Sequence, residues 1–242
     1  MKILRHRLLG VALLGVFALT LFACSSAGTG EDESLEGTWL VTHSEPIGYD
    51  EDDPTDLTDA QLFEFSGSDV ELVFFLDTDQ VMGQRGTYGV SGDTLVMTFD
   101  EWWEDNGEDP PQWVADDDSV NLSFSLSGDT LSIVPPGETE GVALSKANFS
   151  VRPELVGTWY QEGGNYEMVL ESNGQLRYYD GATPGSPEQE GPWEATEGYI
   201  RSGNSVSGTV EYLNPYTLQD AGTTLIIDVT GGDQMIYHDT SP

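Results

Sequence analysis

The side chains able to do chemistry are few, carboxylates apart. Beyond residue 24 there are two histidines, His43 in Thr42-His43-Ser44 and His238 in Tyr237-His238-Asp239, far apart in sequence. A hydrolytic triad needs a serine, a histidine and a carboxylate together, and no Gly-x-Ser-x-Gly turn that would expose such a serine occurs. No cysteine stands near either histidine, so the pattern of a zinc site is missing. Both histidines read as surface or rim residues at strand ends. Phosphate-cradling glycine loops are absent as well. Paired carboxylates could hydrolyse a glycoside, but with 43 Asp and Glu no pair stands out, Glu101 and Glu104 included. The expectation is a protein that is not an enzyme and carries no cofactor.

The carboxylates could still hold a hard cation. They crowd at Asp50-Glu51-Asp52-Asp53 with Asp56 and Asp59, at Glu101, Glu104, Asp105, Glu108 and Asp109, and at Asp116-Asp117-Asp118. Ca²⁺ wants six to eight oxygens in fixed geometry. None of these runs has the alternating spacing of a calcium loop, so Asp50, Asp52, Asp53, Asp116, Asp117 and Asp118 are candidates by density alone. Aromatic clusters offer a second chemistry. Trp102-Trp103 lies among acidic residues with Trp113 close behind, and Tyr178-Tyr179 and Trp193 follow later. An exposed Trp102 and Trp103 could stack on a sugar or hold a cation over the ring face. Equally, the pair could fold back as the lid of a small core.

Lys2, Arg5 and Arg7 precede an apolar run from Leu8 to Phe22, too short to span a bilayer comfortably. It ends in Leu21-Phe22-Ala23-Cys24, and Cys24 is the single cysteine of 242 residues. The segment resembles the signal and lipobox of a bacterial lipoprotein. That resemblance implies removal of residues 1–23, acyl chains (palmitate among them) on Cys24, and a mature chain held outside the cytoplasm by lipid. Ser25 in place of aspartate implies the outer membrane, at its periplasmic or cell-surface face. Residues 24–34 then form a small, acidic tether. No second apolar stretch of spanning length follows.

With no cysteine left over, the folded part relies on its cores. Five basic residues (Arg85, Lys146, Arg152, Arg177 and Arg201) face 43 acidic ones after the signal, a formal charge of −38. Such a surface repels nucleic acid and anionic headgroups. It fits a solvated exterior in salty surroundings, divalent-cation binding, or capture of a cationic partner. Residues 35–150 hold 26 of the acids against 14 in residues 154–242, and the excess is expected mostly in long loops.

The elements that must position these residues are strands. Leu35-Glu36-Gly37-Thr38-Trp39 recurs as Leu155-Val156-Gly157-Thr158-Trp159. Gly86 to Leu95 and Phe124 to Ile133 each read as strand, Gly-Asp turn, strand, because glycine accepts positive φ at no steric cost. Tyr216 to Ile227 is a looser version. Val120, Leu122, Phe124 and Leu126 share one face. Helical periodicity is tolerated only over Asp56–Phe65, where Thr58 could cap a turn. The reading is all-β: two tandem small antiparallel barrels, at 35–150 and 154–242, joined at Val151-Arg152-Pro153. Strands of about 5–6 residues would give eight per barrel, with a single shared sandwich as the alternative.

Leu-x-Gly-Thr-Trp opening such a segment, followed by Gly-x-Tyr-x-Val-x-Gly-Asp-x-Leu, resembles the lipocalin-like domains of bacterial lipoproteins. The resemblance implies that Trp39 and Trp159 plug the closed end of each barrel, with Gly37 and Gly157 allowing the tight approach. It implies a late arginine over the plug, which Arg152 could supply for the first barrel and nothing after Arg201 for the second. By function it points to a non-enzymatic binding module for a small or amphipathic ligand. The competing reading is a structural or interaction protein of the envelope, its acidic loops meeting divalent cations or a cationic partner.

Overall fold

The computed structural model describes residues 34–50, 53–76, 81–104, 113–134, 136–137, 139, 141–181, 185–203, 210–229 and 234–239. Residues 1–33, and with them Cys24, lie outside that set, as do Glu51, Asp52, Asp105, Glu108 and Asp109. The chain is all-β. Its first sheet contains β1 (Gly37–Asp50), β2 (Asp53–Ser66), β3 (Asp69–Leu76), β4 (Val81–Ser91), β5 (Thr94–Glu104), β6 (Val114–Ser127), β7 (Thr130–Val134) and β8 (Val142–Ala147). The second contains β9 (Gly157–Gln161), β10 (Tyr166–Leu170), β11 (Gln175–Asp180), β12 (Gln189–Ala195), β13 (Tyr199–Gly203), β14 (Val210–Gln219), β15 (Thr224–Asp228) and β16 (Gln234–His238). Each sheet runs up and down through consecutive antiparallel neighbours and closes into a barrel, so no edge strand is left to template aggregation. The shared sandwich is thereby excluded.

Both Gly-Asp hairpins fold as the spacing predicts. Gly92 and Gly128 take positive φ of 65° and 58° between β4 and β5 and between β6 and β7. The looser third turn is a 3-10 turn, Asp220–Gly222, in which Asp220 and Ala221 also adopt positive φ. Thr224 Oγ1 donates to the Asp220 carboxylate at 3.0 Å and steadies it.

Two expectations fail in the first barrel. Asp56–Phe65 is strand, not helix, so Thr58 stands within β2 and begins no helical turn. Ala60, Gln61, Leu62 and Phe63 are all buried, so both faces of β2 are covered there and the period-2 signal is lost over those residues. Pairing with β1, from Gly37↔Phe65 to Asp50↔Asp53, decides the conformation instead. The strands also exceed the expected length. At 14 residues each, β1, β2 and β6 run for roughly 46 Å at about 3.3 Å per residue. The second barrel, with most strands at five to seven residues, matches the expectation. The acidic runs accordingly sit on strands where loops were expected: Asp53, Asp56 and Asp59 on β2, Glu101 and Glu104 on β5, Asp116 to Asp118 on β6.

The repeated pentapeptide builds the same hook twice. Leu35 and Trp39 are buried, and the Trp39 indole N–H donates to the Leu35 carbonyl at 2.7 Å. Leu155 and Trp159 do the same at 2.8 Å. Phe63, which opposes Trp39 in the ladder, is buried, as are Phe65 on β2, Leu95 on β5, Leu131 on β7 and Leu144 on β8. The segment expected as a joint is anchored to the second barrel. Ser150 and Ala195 exchange backbone hydrogen bonds of 3.0 and 2.8 Å, and Val151 packs against the second core.

The two glycines of the hook differ. Gly37 has φ +114°, and a Cβ there would meet Lys146 Cε at 3.2 Å. Gly157 lies outside the left-handed region, and its nearest neighbour would be Trp159 Nε1 at 3.9 Å. The expectation that both are required holds for Gly37 alone. Gly37→Ala should cost about 1–3 kcal/mol in urea unfolding, whereas Gly157→Ala should stay within about 1 kcal/mol of the parent. Equal costs at both positions would refute the asymmetry.

Candidate functional site

At the plugged end of the first barrel a cation does cover the tryptophan, but it is Lys146. Its Nζ lies 5.3 Å from the Trp39 ring centroid. Arg152, the residue expected there, instead pairs with Glu154 at 2.6 Å. Lys146 is on β8, which brings its side chain to Trp39. Arg152 comes after the chain has already bonded to the second barrel through Ser150. Lys146→Met should cost about 0.5–2 kcal/mol and shift the Trp39 indole N–H resonance. Arg152→Met should leave that resonance in place; the reverse pattern would reinstate Arg152.

The Trp102-Trp103 pair divides because neighbouring strand residues point to opposite faces. Trp103 is buried at 1 % exposure and meets Trp113 edge to face, ring centroids 6.2 Å apart. Gly83 makes the room: a Cβ there would lie 2.1 Å from Trp103 Nε1. Trp103 is thus core, the lid reading of the pair, and only half-buried Trp102 keeps a surface that a ligand could reach.

Alternation separates the acidic triplet as well. Asp116 and Asp118 share one face of β6 and Asp117 takes the other. Asp116 accepts from Gln84 Nε2 at 3.4 Å and from the Asp117 backbone N–H at 2.9 Å, while Asp118 accepts from the Ser119 N–H at 2.7 Å. Asp50 and Asp53 face each other in the β1–β2 ladder. Among the described residues no three acidic, histidine or cysteine side chains gather as a metal site would require. His43 lies within β1 and not at its end. His238 ends β16 as expected, its Nε2 3.7 Å from the Glu162 carboxylate and its Nδ1 3.4 Å from Thr224 Oγ1. No described serine–histidine–carboxylate relay includes it.

The second barrel collects a site that sequence reasoning missed. Tyr166 on β10 stacks on Tyr178 of β11, centroids 5.4 Å apart and planes at 19°. The Tyr237 hydroxyl on β16 donates to Met235 Sδ at 3.4 Å, and Tyr237 lies close enough to Tyr178 to couple with it electrostatically. Burial pushes both hydroxyls above the ordinary tyrosine value, Tyr237 far above it, with the nearby Glu188 and Asp180 charges adding at Tyr178. Tyr179, paired with Glu167, points away from Tyr178. Trp193 is core, its indole N–H given to the Glu171 carbonyl at 3.1 Å. A separate shallow depression of about 470 Å³ is lined by Arg152, Glu154, Glu197 and Tyr216, among others. Tyr216, whose hydroxyl donates to the Thr196 carbonyl at 2.8 Å, is also raised by burial. The signal for the tyrosine site was weak. Tyr166, Tyr178 and Tyr237 stand on three strands, and only the ladder shows that they meet.

Among the described residues no helix is long and apolar enough to cross a membrane. No known protein-family model matches the chain, and no curated protein does either.

The raised tyrosines carry a pH signature. Their neutral forms are favoured in the fold, so the stability they contribute is complete below the unfolded value of 10.0 and lost as pH rises through the folded ones. Urea unfolding should therefore show stability falling above about pH 10. Tyr237→Phe should make that fall shallower by up to about 1.4 kcal/mol per pH unit. An unchanged slope would exclude Tyr237 as a source.

Proposed function

We propose that this chain is an extracytoplasmic lipoprotein, held by acyl groups on Cys24, and that its barrels act as a non-enzymatic binding module through their rims. The sequence supports the anchor: a basic start, an apolar run and a single cysteine after Leu21-Phe22-Ala23. On this reading the outer membrane holds the protein, as Ser25 implies, and residues 25–34 keep the barrels clear of the lipid.

The observation that carries the binding role is the contrast between interior and rim. A lipocalin-like barrel can take a ligand inside, but a small barrel can equally be filled by its own side chains. In the first barrel Trp39, Phe63, Phe65 and Leu95 are buried. In the second, Trp159, Met168, Leu225 and Tyr237 belong to one buried cluster. On this reading recognition falls to the barrel ends, supported by aromatic side chains such as Tyr166 that reach solvent there.

The anchor is tested by expressing the chain and its Cys24→Ser variant in a Gram-negative host with labelled palmitate. The parent should take up label and sediment with membranes, and the variant should do neither. A variant that still carries palmitate removes the lipoprotein reading. Native mass spectrometry of the same variant tests the binding role, since a bound ligand adds mass to the polypeptide. A bare mass, together with no thermal shift from any small-molecule panel, moves the role to an envelope spacer.

A further inference from the structure

Ladder register settles which side chains share the interior of the second barrel. Trp159 pairs with Met168, Met168 with Tyr178, and Tyr166 with Asp180. Directly opposed residues project to the same face, and so do residues two apart on a strand. Buried Trp159 and Met168 mark that face as the core side. Tyr166, Tyr178, Asp180 and Gln161 therefore continue it. Gly157 pairs with Leu170 at the Trp159 end, so Tyr166 and Asp180 stand at the opposite rim.

Three features at this rim ask for the same ligand. The first is an acceptor. Gln161 Oε1 is buried with no hydrogen-bond partner among the described residues. It lies beside the Tyr166 ring, because a Cβ on Gly164 would come within 2.6 Å of Oε1 and 3.4 Å of Tyr166 Cδ2. A buried amide oxygen without a donor is destabilising, and an incoming N–H would recover that loss. The second feature is a π surface. Tyr166 is 38 % exposed, and its stacking on Tyr178 holds the ring in place. The third is negative charge. Asp180 sits across the ladder from Tyr166, and Glu188 donates its backbone N–H to the Tyr178 carbonyl at 2.8 Å. A chain of formal charge −35 over its full length adds a long-range field of the same sign.

An aliphatic or aromatic neutral ligand would satisfy the ring but leave Gln161 Oε1 without a donor and gain nothing from the negative charge of the rim. A bare metal ion would satisfy the carboxylate and ignore the ring. We propose that this rim, at Gln161, Tyr166, Tyr178 and Asp180, binds a protonated organic amine. Its N–H groups donate to Gln161 Oε1 and the Asp180 carboxylate, and its carbon chain lies on the Tyr166 ring. The assignment rests on the binding-module reading above and names its ligand class.

The test titrates the full lipidated chain, in non-ionic detergent at constant ionic strength, with 1,4-diaminobutane by isothermal calorimetry. Magnesium chloride and myo-inositol serve as counter-probes. The diamine should bind saturably at one site. Tyr166→Ala and Asp180→Asn should each weaken it by about tenfold, in the range of a cation–π or charge contact, while Tyr166→Phe retains it. Matched thermal midpoints show that the variants are folded. Saturable binding of inositol in place of the diamine overturns the amine assignment, as does equal uptake of Mg²⁺ or indifference to both rim substitutions. If the diamine fails while the purified chain still carries a ligand mass, the amine assignment falls and the binding module stands. If both fail, both readings fall.

Discussion

A buried indole N–H needs an acceptor, and in each barrel it finds the carbonyl four residues earlier. Left unpaired, the group would cost about 1–3 kcal/mol. The bond bends Leu-x-Gly-x-Trp into a hook, and the hook sets where the first strand begins and which of its residues face inward. From there the ladder follows: Trp39 opposes Phe63, Trp159 opposes Met168, and each sheet continues through eight strands to closure. With Cys24 the single cysteine, no disulfide supports either barrel. Closure and the filled core carry the stability alone.

From the same hook the two barrels diverge. In the first, the turn into β1 needs the left-handed conformation of Gly37, and Lys146 lies over the plug. In the second, Gly157 is unstrained. The first barrel extends its strands to 14 residues and sets carboxylates along them. A strand can carry such charge because its backbone bonds are met across the ladder, while alternate side chains stay in solvent. Alternation also keeps neighbouring acids apart, which is why the triplet at Asp116 to Asp118 forms no cage.

Tyrosine suits the chemistry of the second rim. Its ring contributes apolar area to the core, and its hydroxyl needs a partner once buried. Tyr237 meets that need by donating to Met235 Sδ, and Tyr178 and Tyr166 extend the same wall to the surface. The wall grades from core to rim with no lid element among the described residues. A fixed surface of this kind would bind without paying to reorder itself.

Much of the architecture was legible in the residues. The repeated pentapeptide, the Gly-Asp turns and the alternation of Val120 to Leu126 are local signals, and local signals survive in a linear sequence. The failures have a common cause. Residues 60–63 lost their alternation because β2 is buried on both faces there, a property of what surrounds the strand. Lys146 could not be told from Arg152 as the cation over Trp39, because strand register decides which side chain reaches the ring. Trp103 and Trp102 differ only in the face they occupy. The tyrosine rim was out of reach for the same reason, since Gln161, Tyr166, Tyr178 and Tyr237 lie on four strands and meet only through pairing. The sequence by itself determined strand, turn and repeat, which depend on nearest neighbours and the period of two. Tertiary structure alone decided which side chains converge, because convergence depends on register around a closed sheet.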